Sequence, residues 1–147
     1  MPEREVIERA RRDAQEGKSP STQAGEFVRE EIEHVRQGKH GVRSPKQAIA
    51  IGLSKARRAG INLPPPKNNK GSRKVRRQAE RDLSKGRSGS RKTSPRRSRA
   101  TTKALRHESR SAASHAALSR QAKSSARKRG PRSRHRAAAK AARTRRT

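Results

Sequence analysis

Ser44-Pro45-Lys46-Gln47-Ala48-Ile49-Ala50-Ile51-Gly52-Leu53-Ser54-Lys55-Ala56-Arg57-Arg58-Ala59-Gly60 decides the fold class. Ser44 can offer its side-chain oxygen to the open amides of a first helical turn. Pro45 has its φ preset for the first helical position, and Gly60 suits the left-handed residue that ends a helix. Between them Ala48, Ile49, Gly52, Leu53, Ala56 and Ala59 recur at the helical period and share one arc. Ile51 stands about 160° from Ile49 by the same period, beside Gln47, Ser54, Lys55 and Arg58. It is either a lone aliphatic, exposed or covered by the first helix, or part of an interaction surface made of Ile51, Lys55 and Arg58.

Two more helices precede this one. Val6, Ile7, Ala10 and Ala14 form an apolar stripe from Pro2 to about Glu16, with Glu3 and Glu5 in the first turn where the helix dipole favours acids. Ser19-Pro20-Ser21-Thr22 opens a second helix, whose face is Ala24, Phe27, Val28, Ile32 and Val35 and which ends at Gly38 and Gly41. Ile61 and Leu63 can fold back over the end of the third. The expected architecture is mainly α: a small three-helix module over residues 1–63.

Pro64-Pro65-Pro66-Lys67-Asn68-Asn69 begins a stiff Pro/Asn linker over 64–70. Ser72 can cap a short basic helix over 71–86, with Val75, Ala79 and Leu83 as its stripe. Residues 86–99 read as a low-complexity linker. Beyond residue 66 the only large aliphatics are Val75, Leu83, Leu105 and Leu118, too few for a core. Residues 87–147 are therefore expected to be a largely disordered Arg/Lys-rich tail with transient helices near 101–107, 112–128 and 134–143, interrupted at Gly130-Pro131.

Charge follows the same division. Residues 67–147 hold 29 Lys and Arg against three acids, Glu80, Asp82 and Glu108, in a chain of net charge +30. A segment this positive calls for a polyanion, and nucleic acid is the commonest. Arg outnumbers Lys 29 to 13, and the guanidinium fork grips phosphate with two hydrogen bonds. Phe27 is the only aromatic, and the helix pattern needs it inside. Without aromatics to stack bases, contacts go to phosphate and duplex shape, with little sequence preference.

Arg73, Lys74, Arg76, Arg77, Arg81, Arg96, Arg97, Arg99, Arg127, Lys128, Arg129, Arg132, Arg134 and Arg136 are the expected nucleic-acid contacts. Thr93-Ser94-Pro95-Arg96-Arg97 is either an ordinary turn or a compact element for a narrow minor groove. Glu26, Glu30, Glu31 and Glu33 make the one acidic cluster. It reads as a solvated face paired with Arg29 and Arg36, or as a shield that keeps the module off DNA or a dock for a basic segment of the same chain.

Chemistry beyond binding finds no motif. His34, His40, His107, His115 and His135 are scattered, with no HxxxH spacing, and the chain has no Cys, so no metal site, cofactor or small-molecule substrate is expected. There is no Gly-x-Ser-x-Gly elbow, and Lys70-Gly71-Ser72 lacks the upstream glycine of a phosphate loop, so no enzyme is expected. No apolar run reaches the length of a membrane span.

Residues 44–60, with Pro64-Pro65-Pro66 after them and the Gly-Lys pairs at 17–18 and 38–39 before them, resemble a family of small, uncharacterised bacterial proteins. The resemblance covers about residues 1–66. It implies a bacterial cytoplasmic source and a helical domain, and brings no activity or catalytic residue. The tail, best in Ala-Ala-Ala-Lys-Ala-Ala-Arg-Thr-Arg-Arg-Thr at 137–147, is similar in composition to linker-histone tails, without their winged-helix domain.

The resulting expectation is a histone-like, nucleoid-associated protein that binds duplex DNA without sequence specificity. An RNA-binding protein, ribosome-associated or a chaperone, is the first alternative. An adaptor whose module 1–63 holds a protein partner while the tail tethers it is the second.

Overall fold

A computed structural model describes residues 2–68, 70–89 and 92–146. Asn69 of the expected linker and Ser90 and Arg91 of the low-complexity stretch lie outside the described residues. Among the described residues there are six α-helices: α1 (Arg4–Gln15), α2 (Pro20–Arg36), α3 (Pro45–Arg58), α4 (Arg73–Arg87), α5 (Pro95–Arg106) and α6 (His115–Arg146), with a 3-10 turn at Ser111–Ala113. Two compact units result, Met1–Ala113 and Ser114–Thr147.

In the first unit α2 and α3 form the central pair, α1 lies on α2, and α4 lies on α3. Ser44 accepts the Gln47 amide and Ser72 the Val75 amide, so α3 and α4 both start at capped serines. A Cβ on Gly52 would meet Val28 Cα at 2.6 Å, which explains glycine in mid-helix: the α2 and α3 backbones touch there.

The apolar interior has two parts. Val6 and Ala10 of α1, Ala24 and Phe27 of α2 and Ala56 of α3 form one, closed by Ile7, Leu53, Ile61 and Leu63. Val35, Val42, Ala48, Ala112 and Ala113 form the other, with Ile32 and Ile51 against it. Ile51 is thus covered, by the turn at 111–113 rather than by α1.

The expectation of a largely disordered tail over 87–147 is overturned: α5 and α6 are helical, and residues as far as Ala113 pack into the first unit. The scarcity of large aliphatics hides how this segment docks. The Gly41 amide donates to Leu105 O and the Val42 amide to Ser109 O, both at 2.9 Å. Ala112 and Ala113 then fill the second core, and Arg36 Nε donates to Ala113 O at 3.0 Å.

On α4 the expected stripe is shifted. Val75 is more than half exposed, while Ala79 and the carboxylate of Asp82 are buried against α3. Asp82 Oδ2 accepts from Ser54 Oγ at 2.7 Å, and Oδ1 from Arg58 Nε at 2.8 Å and Gln78 Nε2 at 3.1 Å. A charge-assisted set of this kind replaces the apolar stripe as the anchor.

The second unit is a single helical stretch broken at Gly130, whose φ of 77° only glycine adopts cheaply, immediately before Pro131. It needs no core to explain it, because Ala, Arg, Lys and Gln are the strongest helix formers. No helix among the described residues is long and apolar enough to cross a membrane.

Candidate nucleic-acid interface

α4 carries Arg73, Lys74, Arg77, Arg81 and Lys85 within an arc of about 120° by the helical period. All five are exposed, and the arc faces away from Ala79 and Asp82. Among the described residues none of the five has an ion pair, whereas Arg76 lies 3.8 Å from Glu80 and donates to Asn68 Oδ1. On α5, Arg96, Arg99, Lys103 and Arg106 share an arc of about 80°, with Arg97 off it. No residue of α5 is buried, and Ser94-Pro95 forms its start rather than a turn within a linker.

Arg127, Lys128, Arg129, Arg132, Arg134 and Arg136 belong to the second unit and are all exposed. Residues 114–147 contain twelve Lys and Arg and no Asp or Glu, so these cations have no carboxylate side chain of their own unit to pair with.

The three residues expected as a partner surface are used internally instead. Ile51 packs on the second core. Lys55 Nζ lies 2.7 Å from Glu31 Oε2 and 3.8 Å from Glu30 Oε2. Arg58 holds Asp82. Arg57, unremarked in the sequence, is buried and donates to Leu63 O at 3.1 Å and Pro64 O at 3.3 Å, tying the Pro-rich segment to α3. Burial holds its guanidinium below the ordinary arginine range, with Asp82 opposing the effect.

The acidic cluster divides. Glu33 pairs with Arg36 and Glu26 with Arg9 and Arg29, as a charged helix surface does. Glu30 and Glu31 are 5 % and 1 % exposed and lie inside. Glu30 Oε1 accepts the Glu3 amide at 2.7 Å, and Glu31 Oε1 lies 2.9 Å from His40 Nε2. His34 Nε2 is 3.3 Å from Glu3 Oε1, and the His34 and His40 rings stand edge to face with centroids 6.4 Å apart. Lys39 first, then His34, hold the Glu3 carboxyl below its usual range. Glu30 and Glu31 precede His34 by four and three residues on α2, so each lies one helical turn from it, a spacing the sequence does show. That His40 turns back beside them is set by the Gly38–Gly41 turn and is not readable from spacing.

Residues 17–67 match a family of unknown function, DUF6496. The matched stretch takes in α2, α3 and the Pro-rich segment, and leaves α4, α5 and α6 outside. No curated protein and no solved structure matches the chain.

Proposed function

We propose that this protein binds nucleic acid, duplex DNA in the first place, through the phosphate backbone and with little sequence preference, as a nucleoid-associated protein would. The observation that carries the reading is the second unit: twelve cations and no acid in 34 residues, on a helical backbone. The exposed arcs of α4 and α5 add nine further cations that no carboxylate among the described residues neutralises. An α-helix is about 10–12 Å across and fits a major groove about 12 Å wide, so helical arms can follow the groove while Arg and Lys reach both phosphate walls.

Phe27, the sole Phe, Tyr or Trp, is 0 % exposed, which leaves no large aromatic face for stacking unpaired bases. This favours duplexes over single strands. In this reading the protein acts by binding alone, without catalysis or cofactor.

Affinities for duplex DNA, duplex RNA and single-stranded DNA at matched salt test the proposal. The expected order places duplex DNA first and single strands last. With ~6–10 phosphates neutralised, duplex affinity should fall ~10³–10⁵-fold between 50 and 200 mM salt. A flat salt dependence, or a preference for single strands, contradicts it, and a preference for duplex RNA makes the chain an RNA-binding protein.

A further inference from the structure

His40 poses a chemical question that the charge reading does not touch. Its Nδ1 lies 3.0 Å from the carbonyl oxygen of Gly41, and its Nε2 lies 2.9 Å from Glu31 Oε1. Both partners are acceptors. A neutral imidazole carries one proton, so one of the two contacts needs a further positive charge: a second proton or a metal ion. A hydrogen bond from Nδ1–H to a backbone carbonyl, with Nε2 turned to a ligand, is the usual way a metal-bound histidine is held.

The surroundings fit the second choice. Glu31, His34 and His40 each bring a ligand atom to within 4.8 Å of the others, and Glu3, Glu30 and His34 do the same. His34 belongs to both sets, so the five residues form one continuous donor cluster. Of the two buried outer oxygens, Glu31 Oε2 is met by Lys55 Nζ at 2.7 Å, and Glu30 Oε2 accepts no hydrogen bond. The nearest cation is Lys55 Nζ, in ion-pair contact with Glu31 Oε2 and only at 3.8 Å from Glu30 Oε2. Three carboxylates, Glu3, Glu30 and Glu31, face two lysines, Lys39 and Lys55, which leaves one negative charge unmatched if both imidazoles are neutral. Tetrahedral donors at about 2.0–2.1 Å from one ion lie about 3.3–3.4 Å apart, so an ion between His40 Nε2 and Glu31 Oε1 needs that pair to open from 2.9 Å by about half an ångström.

We propose that Glu31, His34 and His40 bind a divalent transition-metal ion of the zinc class, with Glu30 beside them and Glu3 orienting His34. Two imidazoles with carboxylate oxygens suit a borderline cation such as Zn²⁺, Co²⁺ or Ni²⁺ rather than Mg²⁺ or Ca²⁺, which take oxygen ligands. The ion would join the end of α2 (Glu31, His34) to the turn that follows it (His40) and to the N-terminus of α1 (Glu3). Every one of these residues except Glu3 lies within the 17–67 match, whereas α4, α5 and α6, which carry the basic arcs, lie outside it.

The full chain, labelled with ¹⁵N at histidine, is titrated with ZnCl₂ and followed by NMR of the ring nitrogens. The expected result is saturation at one ion per chain, moving His34 and His40 and leaving His107, His115 and His135 in place. Co²⁺ in place of Zn²⁺ should give the visible d–d absorption of a nitrogen–oxygen site. His34→Gln and His40→Gln should each weaken Zn²⁺ binding by at least about tenfold with far-ultraviolet circular dichroism unchanged. Absence of saturable uptake, movement confined to the other three histidines, or unchanged affinity in both folded variants would overturn the proposal. If a variant does not fold, the ring resonances of the unaltered chain decide.

Discussion

Arg57, in the unit Met1–Ala113, is buried and donates to the carbonyls of Leu63 and Pro64. Arg134, in the unit Ser114–Thr147, is exposed and has no carboxylate side chain in its unit to meet. The same guanidinium is a structural clamp in one place and a free charge in the other. Among the described residues every ion pair lies within the first unit. There the acids decide what a cation does: Asp82 fixes Arg58, Glu31 fixes Lys55, Glu26 fixes Arg9. In the second unit, where no acid remains, helix propensity alone shapes the chain and all the charge faces outward. Basic character is therefore not one property of this molecule. Part of it goes into packing, and the part beyond Ala113, with the outer arcs of α4 and α5, is exposed and has no carboxylate partner among the described residues.

The contrast between the units is most exposed to a change in the core. Phe27→Ala should destabilise the first unit by ~3–5 kcal/mol, a large share of the ~5–15 kcal/mol that holds a domain folded. Chemical denaturation should show a lost or early transition, while the helical signal of residues 114–147 persists. A cooperative loss of both would show that the units are not independent.

Gly41→Ala comes next. The added Cβ would run into the Glu108 carbonyl, so the segment from Leu105 to Ala113 must shift. Overpacking of this kind costs ~1–3 kcal/mol, and amides of Gly41 and Val42 should lose hydrogen-exchange protection before those of α1 do. Asp82→Ala should cost about 1–3 kcal/mol by leaving Ser54 and Arg58 without their acceptor. Limited proteolysis should then cut within α4 earlier than in the unaltered chain.

The smallest effect concerns the second unit itself. Lys and Arg four residues apart on the same side of the break at Gly130, such as Lys123 and Arg127 or Arg132 and Arg136, repel by about 0.2–0.5 kcal/mol per pair in an exposed helix. Added salt screens this, so a peptide of residues 114–147 should gain helicity between 10 and 200 mM salt, observable by circular dichroism. The first unit should show no such gain.

Helix starts were legible because their cues are local: Ser44 and Pro45 for α3, Ser72 for α4, Pro20 for α2. The docking of α4 and of residues 105–113 was not, because it runs through Asp82, alanines and two backbone hydrogen bonds, none of which makes an apolar stripe. Ile51 looked misplaced only because the turn that covers it lies about sixty residues away in sequence. The inward turn of Glu30 and Glu31 was hidden for a similar reason: Lys55, His40 and the Glu3 amide come from outside α2. The exposed cations needed only composition, since a unit without acids cannot pair them.

The salt slope of duplex DNA binding tests the division most directly. It is measured for the unaltered chain and for a variant with Arg127, Lys128, Arg129, Arg132, Arg134 and Arg136 all changed to Gln. If these side chains meet phosphates, the slope of log K against log salt should become shallower by up to about 0.9 for each phosphate no longer neutralised, roughly five in all, with the thermal midpoint of the first unit unchanged. A slope that stays the same in the variant would contradict the claim that the free charge of the second unit is what holds nucleic acid.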